Sequence, residues 1–102
     1  MIDVNFVYIA AKNGGRHYGK YKDAMDWDDF QLKRASRNYQ KQIDEHIEKV
    51  SNPAKYIDNW ESLDIRQRQG LIKKWNKDII RNAEEKAVMQ GLLKERGIEI
   101  NE

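Results

Sequence analysis

Cysteine is absent from this 102-residue chain, which excludes disulfides and any thiolate zinc site. Histidine occurs only twice, at His17 and His46, too few for an HNH-type metal centre. No H-E-x-x-H pattern is present. Carboxylates such as Asp23, Asp26, Asp44 and Glu48 have no diagnostic metal-ligand spacing, so neither a metal nor a cofactor is expected. There is no G-x-S-x-G elbow, no cysteine nucleophile and no Walker A loop. No apolar run approaches the ~18 residues of a membrane span, so stable membrane insertion is not expected. The opening MIDVNFVYIAA lacks a basic n-region and does not read as a signal peptide.

What is present is charge, and it is segregated. Hydrophobic residues make up 39% and charged residues 35%, a balance that suits a single domain of long helices, each burying one apolar stripe. Residues 12–22, KNGGRHYGKYK, carry Lys12, Arg16, Lys20 and Lys22 with no acid. Residues 65–77 carry Arg66, Arg68, Lys73, Lys74 and Lys77, again with no acid. Both runs predict a local positive field despite a net charge of only +2.

The predicted architecture is mainly α, a long antiparallel helical hairpin preceded by an extended segment and a glycine-rich loop. Residues 1–11 read as an arm or short strand, with Ile2, Val4, Phe6 and Tyr8 on one side. Residues 12–22 form the loop. Asp26 reads as the cap of a first helix over 27–51, with Asp29 as a weak capping box. Its stripe runs Phe30, Ala35, Tyr39, Ile43, Ile47 and Val50. Ser51, Asn52 and Pro53, the single proline, end it. A connector over 52–63 tucks Tyr56, Ile57 and Trp60 against the hairpin. Asp64, with Gln67 three residues on, caps a second helix over 65–96, with Gly97 closing it and a kink expected near Asn76 or Gly91. The tail over 97–102 can pair as a strand with residues 2–9.

The succession of GGRH, QLKRASRNYQKQIDEHIEKVSNPAKYIDNW, ESLDIRQRQGLIKKWNKDI and MQGLL, over roughly residues 13–93, resembles a C-terminal toxin domain of bacterial polymorphic toxins. Such domains form the tips of contact-dependent inhibition and Rhs-type proteins. The H-x-x-K-x-x-N-P helix end and the L-D-x-R-x-[QR] and W-x-K-D-I pieces carry the resemblance. Departures are Tyr18, where a small residue is expected, and Ile65 and Asn76, where proline is common. The resemblance implies a growth-inhibiting effector, delivered by secretion into the cytoplasm of a target cell and neutralised by a cognate immunity protein.

The residues point to phosphodiester chemistry. Metal-free RNA cleavage needs a base for the 2′-hydroxyl, an acid for the leaving oxygen and cations for the developing phosphate charge. His17 suits proton transfer, and His46 is the second candidate acid or base. Arg16 can clamp a phosphate bidentately. Backbone N–H groups of Gly14 and Gly15 can form an anion nest. Tyr18, Lys20, Lys22 and Lys77 are candidate substrate contacts. The leading expectation is a nuclease, metal-independent and acting on RNA in preference to DNA. The alternatives are a non-enzymatic helical module that binds nucleic acid or protein, and a toxin of another enzymatic class.

Overall fold

A computed structural model describes residues 2–99 and contains five α-helices and one 3₁₀ turn among them. The helices are α1 (Val4–Lys12), α2 (Tyr18–Ala24), α3 (Asp29–Ser51), α4 (Pro53–Tyr56) and α5 (Ile65–Glu95), with the turn at Trp60–Ser62. The molecule is elongated, 50 × 26 × 22 Å. Its spine is the expected antiparallel hairpin of α3 and α5. The register is set by Arg96 on Asp29, Lys86 on Gln40 and His46 beside Asp78.

Both long helices begin with a reciprocal capping box, and α5 does so at the expected Asp64–Gln67 pair. In α3 the cap is Asp28 with Gln31, two residues later than the expected Asp26. Gln31 returns a bond to the Asp28 amide, which Asp29 does not do from the first turn. The buried stripe of α3 also differs from the expected one. Leu32, Ser36 and Ile43 are buried and Tyr39 is half-buried, while Phe30, expected inside, is 66% exposed.

Residues 4–12 are a helix, and no strand occurs among the described residues. The expectation of an N-terminal strand or arm is thereby overturned for the described residues. The Asp3 carboxylate accepts the Phe6 amide and starts the helix. Helical spacing then puts Tyr8 and Ala11 on one face, where both are buried against α5. Burial of that face outweighs the β-leaning composition of the segment. Residues 100–102 of the expected terminal strand lie outside the described residues.

α5 is one continuous helix from Ile65 to Glu95. Gly91, one expected kink site, lets the Tyr8 ring lie directly on the helix backbone. A Cβ there would fall 2.1 Å from Tyr8 Cγ. The core therefore sits at one end of the hairpin, where α1, α2 and α3 meet the C-terminal half of α5 through Ala24, Leu32, Val88, Met89 and Leu93. Gly97 closes α5 as expected, with a positive φ of 78°. Its amide donates to Lys94 O and that of Ile98 to Leu93 O, a Schellman closure. At the other end the connector docks by stacking Trp60 on Trp75, ring centroids 6.4 Å apart. Arg68 donates to the carbonyls of Trp60 and Glu61.

Candidate functional site: a basic groove beside the glycine turn

The stretch 12–22 is not one loop. It is the end of α1, a five-residue turn over 13–17, and the first turns of α2. Gly14 takes a left-handed φ of 90°. Its amide donates to Ala11 O at 3.2 Å and the Gly15 amide to Ala10 O at 2.8 Å. A Cβ on Gly15 would meet that Ala10 oxygen at 2.8 Å, so only glycine fits. The two glycines thus build a Schellman cap on α1, and the amides expected to cradle an anion are spent within the helix end.

The turn throws Arg16 and His17 onto α5. His17 caps α2 with a left-handed φ of 70°, an unfavourable conformation for a residue with a Cβ. Its ring is held by Glu84, with Nε2 3.0 Å from Oε1, and the side chain is only 10% exposed. Arg16 donates Nε to the same oxygen at 2.8 Å and remains 67% exposed. Burial pushes the Glu84 carboxyl up, but the His17 and Arg16 hydrogen bonds and charges outweigh it and hold Glu84 below the usual carboxylate range. Arg16 spends one donor on this contact, so its terminal nitrogens stay free to fork onto a second anion.

His46 is held elsewhere. Its Nδ1 lies 2.7 Å from the Gln42 carbonyl, which fits donation by that nitrogen, and Nε2 faces Asp78 Oδ2 at 3.4 Å. The carboxylates that hold the two histidines are six residues apart on α5, about 9 Å along the axis and about 120° around it. His17 and His46 are therefore not assembled into one acid–base pair.

Arg16, Lys74, Lys77, Asp78, Ile80 and Arg81 line an open groove of about 470 Å³. Its one acid, Asp78, is flanked by His46 and by Arg81, the latter at 3.4 Å. Of the residues singled out in the sequence, Arg16 and Lys77 come together here, with His46 behind the groove wall. Tyr18, Lys20 and Lys22 belong to α2 and are not part of the groove lining. Lys22 sits over the Tyr18 ring, 5.5 Å from its centroid.

Two contributors, Arg81 and Glu84, carry no expectation from the sequence, and a third, Lys74, is expected only as part of the 65–77 basic run. Arg81 has a local signal, the i,i+3 spacing from Asp78. Glu84 has none, since only the docking of the glycine turn reveals its partners. Among the described residues no three His, Asp or Glu side chains cluster as metal ligands, and no helix is long and apolar enough to cross a membrane. No family model, curated protein or solved structure matches the chain.

Proposed function

We propose that this chain is a growth-inhibiting toxin domain that binds RNA along the basic groove and cleaves it without a metal. The observation that carries the reading is the convergence of Arg16, Lys74, Lys77 and Arg81, from two separate elements, on a groove whose single acid is already paired. Arg16 and Arg81 are paired with Glu84 and Asp78, but Lys74 and Lys77 have no ion pair among the described residues, and the net positive charge favours a polyanion backbone over a neutral ligand. The toxin part of the proposal rests on the motif order of the sequence.

In this reading Arg16 forks onto the scissile phosphate and stabilises the charge that develops there. His17, its neighbour in the chain, takes the 2′-hydroxyl proton as that oxygen attacks phosphorus. The 5′-oxygen leaves and receives a proton from water. Glu84 positions both residues, as carboxylates position catalytic imidazoles elsewhere. His46 holds Asp78 and the groove wall instead of supplying the second proton. The partner that neutralises such a domain is an immunity protein, acidic where it covers the groove.

Expression in cells tests the proposal directly. Wild-type protein should arrest growth with degraded RNA, His17→Ala should spare the RNA, and His46→Ala should keep most of the activity. Intact RNA and DNA during growth arrest would sink the nuclease reading.

A second reading has its own support. Both histidines are tied to carboxylates and the glycine amides are internally satisfied. That arrangement equally suits a non-enzymatic nucleic-acid-binding module. It is favoured if His17→Gln leaves function intact while Lys74→Glu with Lys77→Glu abolishes it.

A further inference from the structure

Among the described residues, the N-terminal half of α5 leaves an apolar face uncovered. α1 and α2 reach only the C-terminal half of the helix, through Tyr8 on Gly91 and His17 on Glu84. α3 meets this half through His46 beside Asp78, and the connector meets it through Trp60, which stacks on Trp75 and accepts from Arg68, a residue that also lines the exposed face. Between them Ile65, Ile72 and Ile80 recur at steps of seven and eight, which places them in one stripe along about 23 Å of helix. Ile65 is 70% and Ile80 52% exposed. Together with Gln69 and Asn76 they line an open groove of about 580 Å³, separate in its lining from the Arg16 side apart from Lys77 and Ile80.

Charge decides what can cover this face. One margin carries Lys73 and Lys77, both exposed and part of the groove lining. A second copy of the chain is a poor occupant. Crossing two such stripes antiparallel about Ile72 sets Lys73 against the same side chain of its mate, and like charges at that spacing repel. A bilayer is also a poor match. The stripe has no Trp, Phe or Leu, and it holds Gln69 and Asn76, whose amides lipid would leave unpaired. A protein helix can hydrogen-bond those amides while its apolar residues fill the isoleucine row.

We infer that the Ile65–Ile72–Ile80 face of α5 is the docking site for an acidic amphipathic helix of a partner protein, whose apolar residues pack on the isoleucines and whose carboxylates pair with Lys73 and Lys77. Helix-in-groove recognition of this kind uses anchors at helical spacing. The inference does not depend on what the neighbouring groove binds.

The probe is a stapled 16-residue helix with leucines at heptad spacing and flanking glutamates, labelled for fluorescence anisotropy. A second peptide replaces the glutamates by glutamine. The full chain should bind the acidic peptide at least tenfold more tightly than the neutral one at low salt, with the difference closing as salt rises. Ile65→Ser with Ile80→Ser alters two exposed side chains, should leave the far-UV circular dichroism unchanged, and should weaken acidic-peptide binding at least tenfold. Equal binding of the two peptides overturns the inference, as does undiminished binding by the folded double variant. So does a concentration-dependent dimer, or co-sedimentation with anionic phosphatidylserine vesicles, that the same double variant abolishes.

Discussion

Replacing Gly91 by alanine separates two opposed expectations about α5. Taken alone, glycine in the middle of a helix is a liability, and alanine should stabilise by about 1 kcal/mol. In the folded chain the new methyl would lie 2.1 Å from Tyr8 Cγ, 2.4 Å from Cδ1 and 2.6 Å from Cβ. These atoms are at the root of the side chain, so a small flexing of its tip cannot relieve the contact. Either α1 moves off α5, an overpacking cost of roughly 1–3 kcal/mol, or the ring swings out and loses about 2–3 kcal/mol of burial. The second route also breaks the bond from the Tyr8 hydroxyl to Glu95. Set against the propensity gain, the expected net effect is a loss of about 1–2 kcal/mol. For a domain of this size that lowers Tm by about 5–10 °C. Thermal melts and urea titrations followed by circular dichroism read it, and the same variant in a Tyr8→Ala background supplies the control. Removing the ring deletes the two closest contacts, so the loss there should shrink by at least half. A Gly91→Ala protein as stable as the parent, or more so, would refute the packing of α1 on this part of α5.

Two further perturbations probe local features. Asp28→Ala and Asp64→Ala each remove a side chain that accepts a helix N3 amide and should each cost about 1 kcal/mol in urea unfolding, while Asp26→Ala should cost almost nothing. The folded pKa of Glu84 lies below its ordinary value of 4.5, so the stability it contributes is present above that value and is lost as pH falls through the lower folded value. Glu84→Gln should therefore flatten the acid limb of the stability–pH profile below about pH 4.5, and an unchanged limb would show that Arg16 and His17 do not hold the carboxylate.

The local signals survive the comparison with the structure, and the long-range ones divide. Asp64 with Gln67, the Asn52–Pro53 break and the Gly97 closure depend on neighbours within a few residues, and each does what its residue types require. Asp26 misleads because three aspartates stand close together, and only Asp28 has a glutamine at the position that returns the bond. The N-terminal segment misleads for another reason. Its residues suit a strand by intrinsic preference, and only the presence of α5 makes a helical face with Tyr8 and Ala11 worth burying.

The glycine stretch shows the same division at the candidate site. Sequence alone determined that the backbone must turn sharply at Gly14 and Gly15, since their amides and lack of Cβ close α1 whatever lies beyond. It also determined the mainly helical class and the separation of positive charge into two runs, because periodicity and composition are local properties. Tertiary structure decided which charges act together. Arg16 meets Lys74, Lys77 and Arg81, Glu84 captures His17, and Asp78 keeps His46 apart from it. Those pairings span tens of residues. They follow from how the glycine turn and α3 seat on α5, a geometry fixed by core packing that no spacing along the chain encodes.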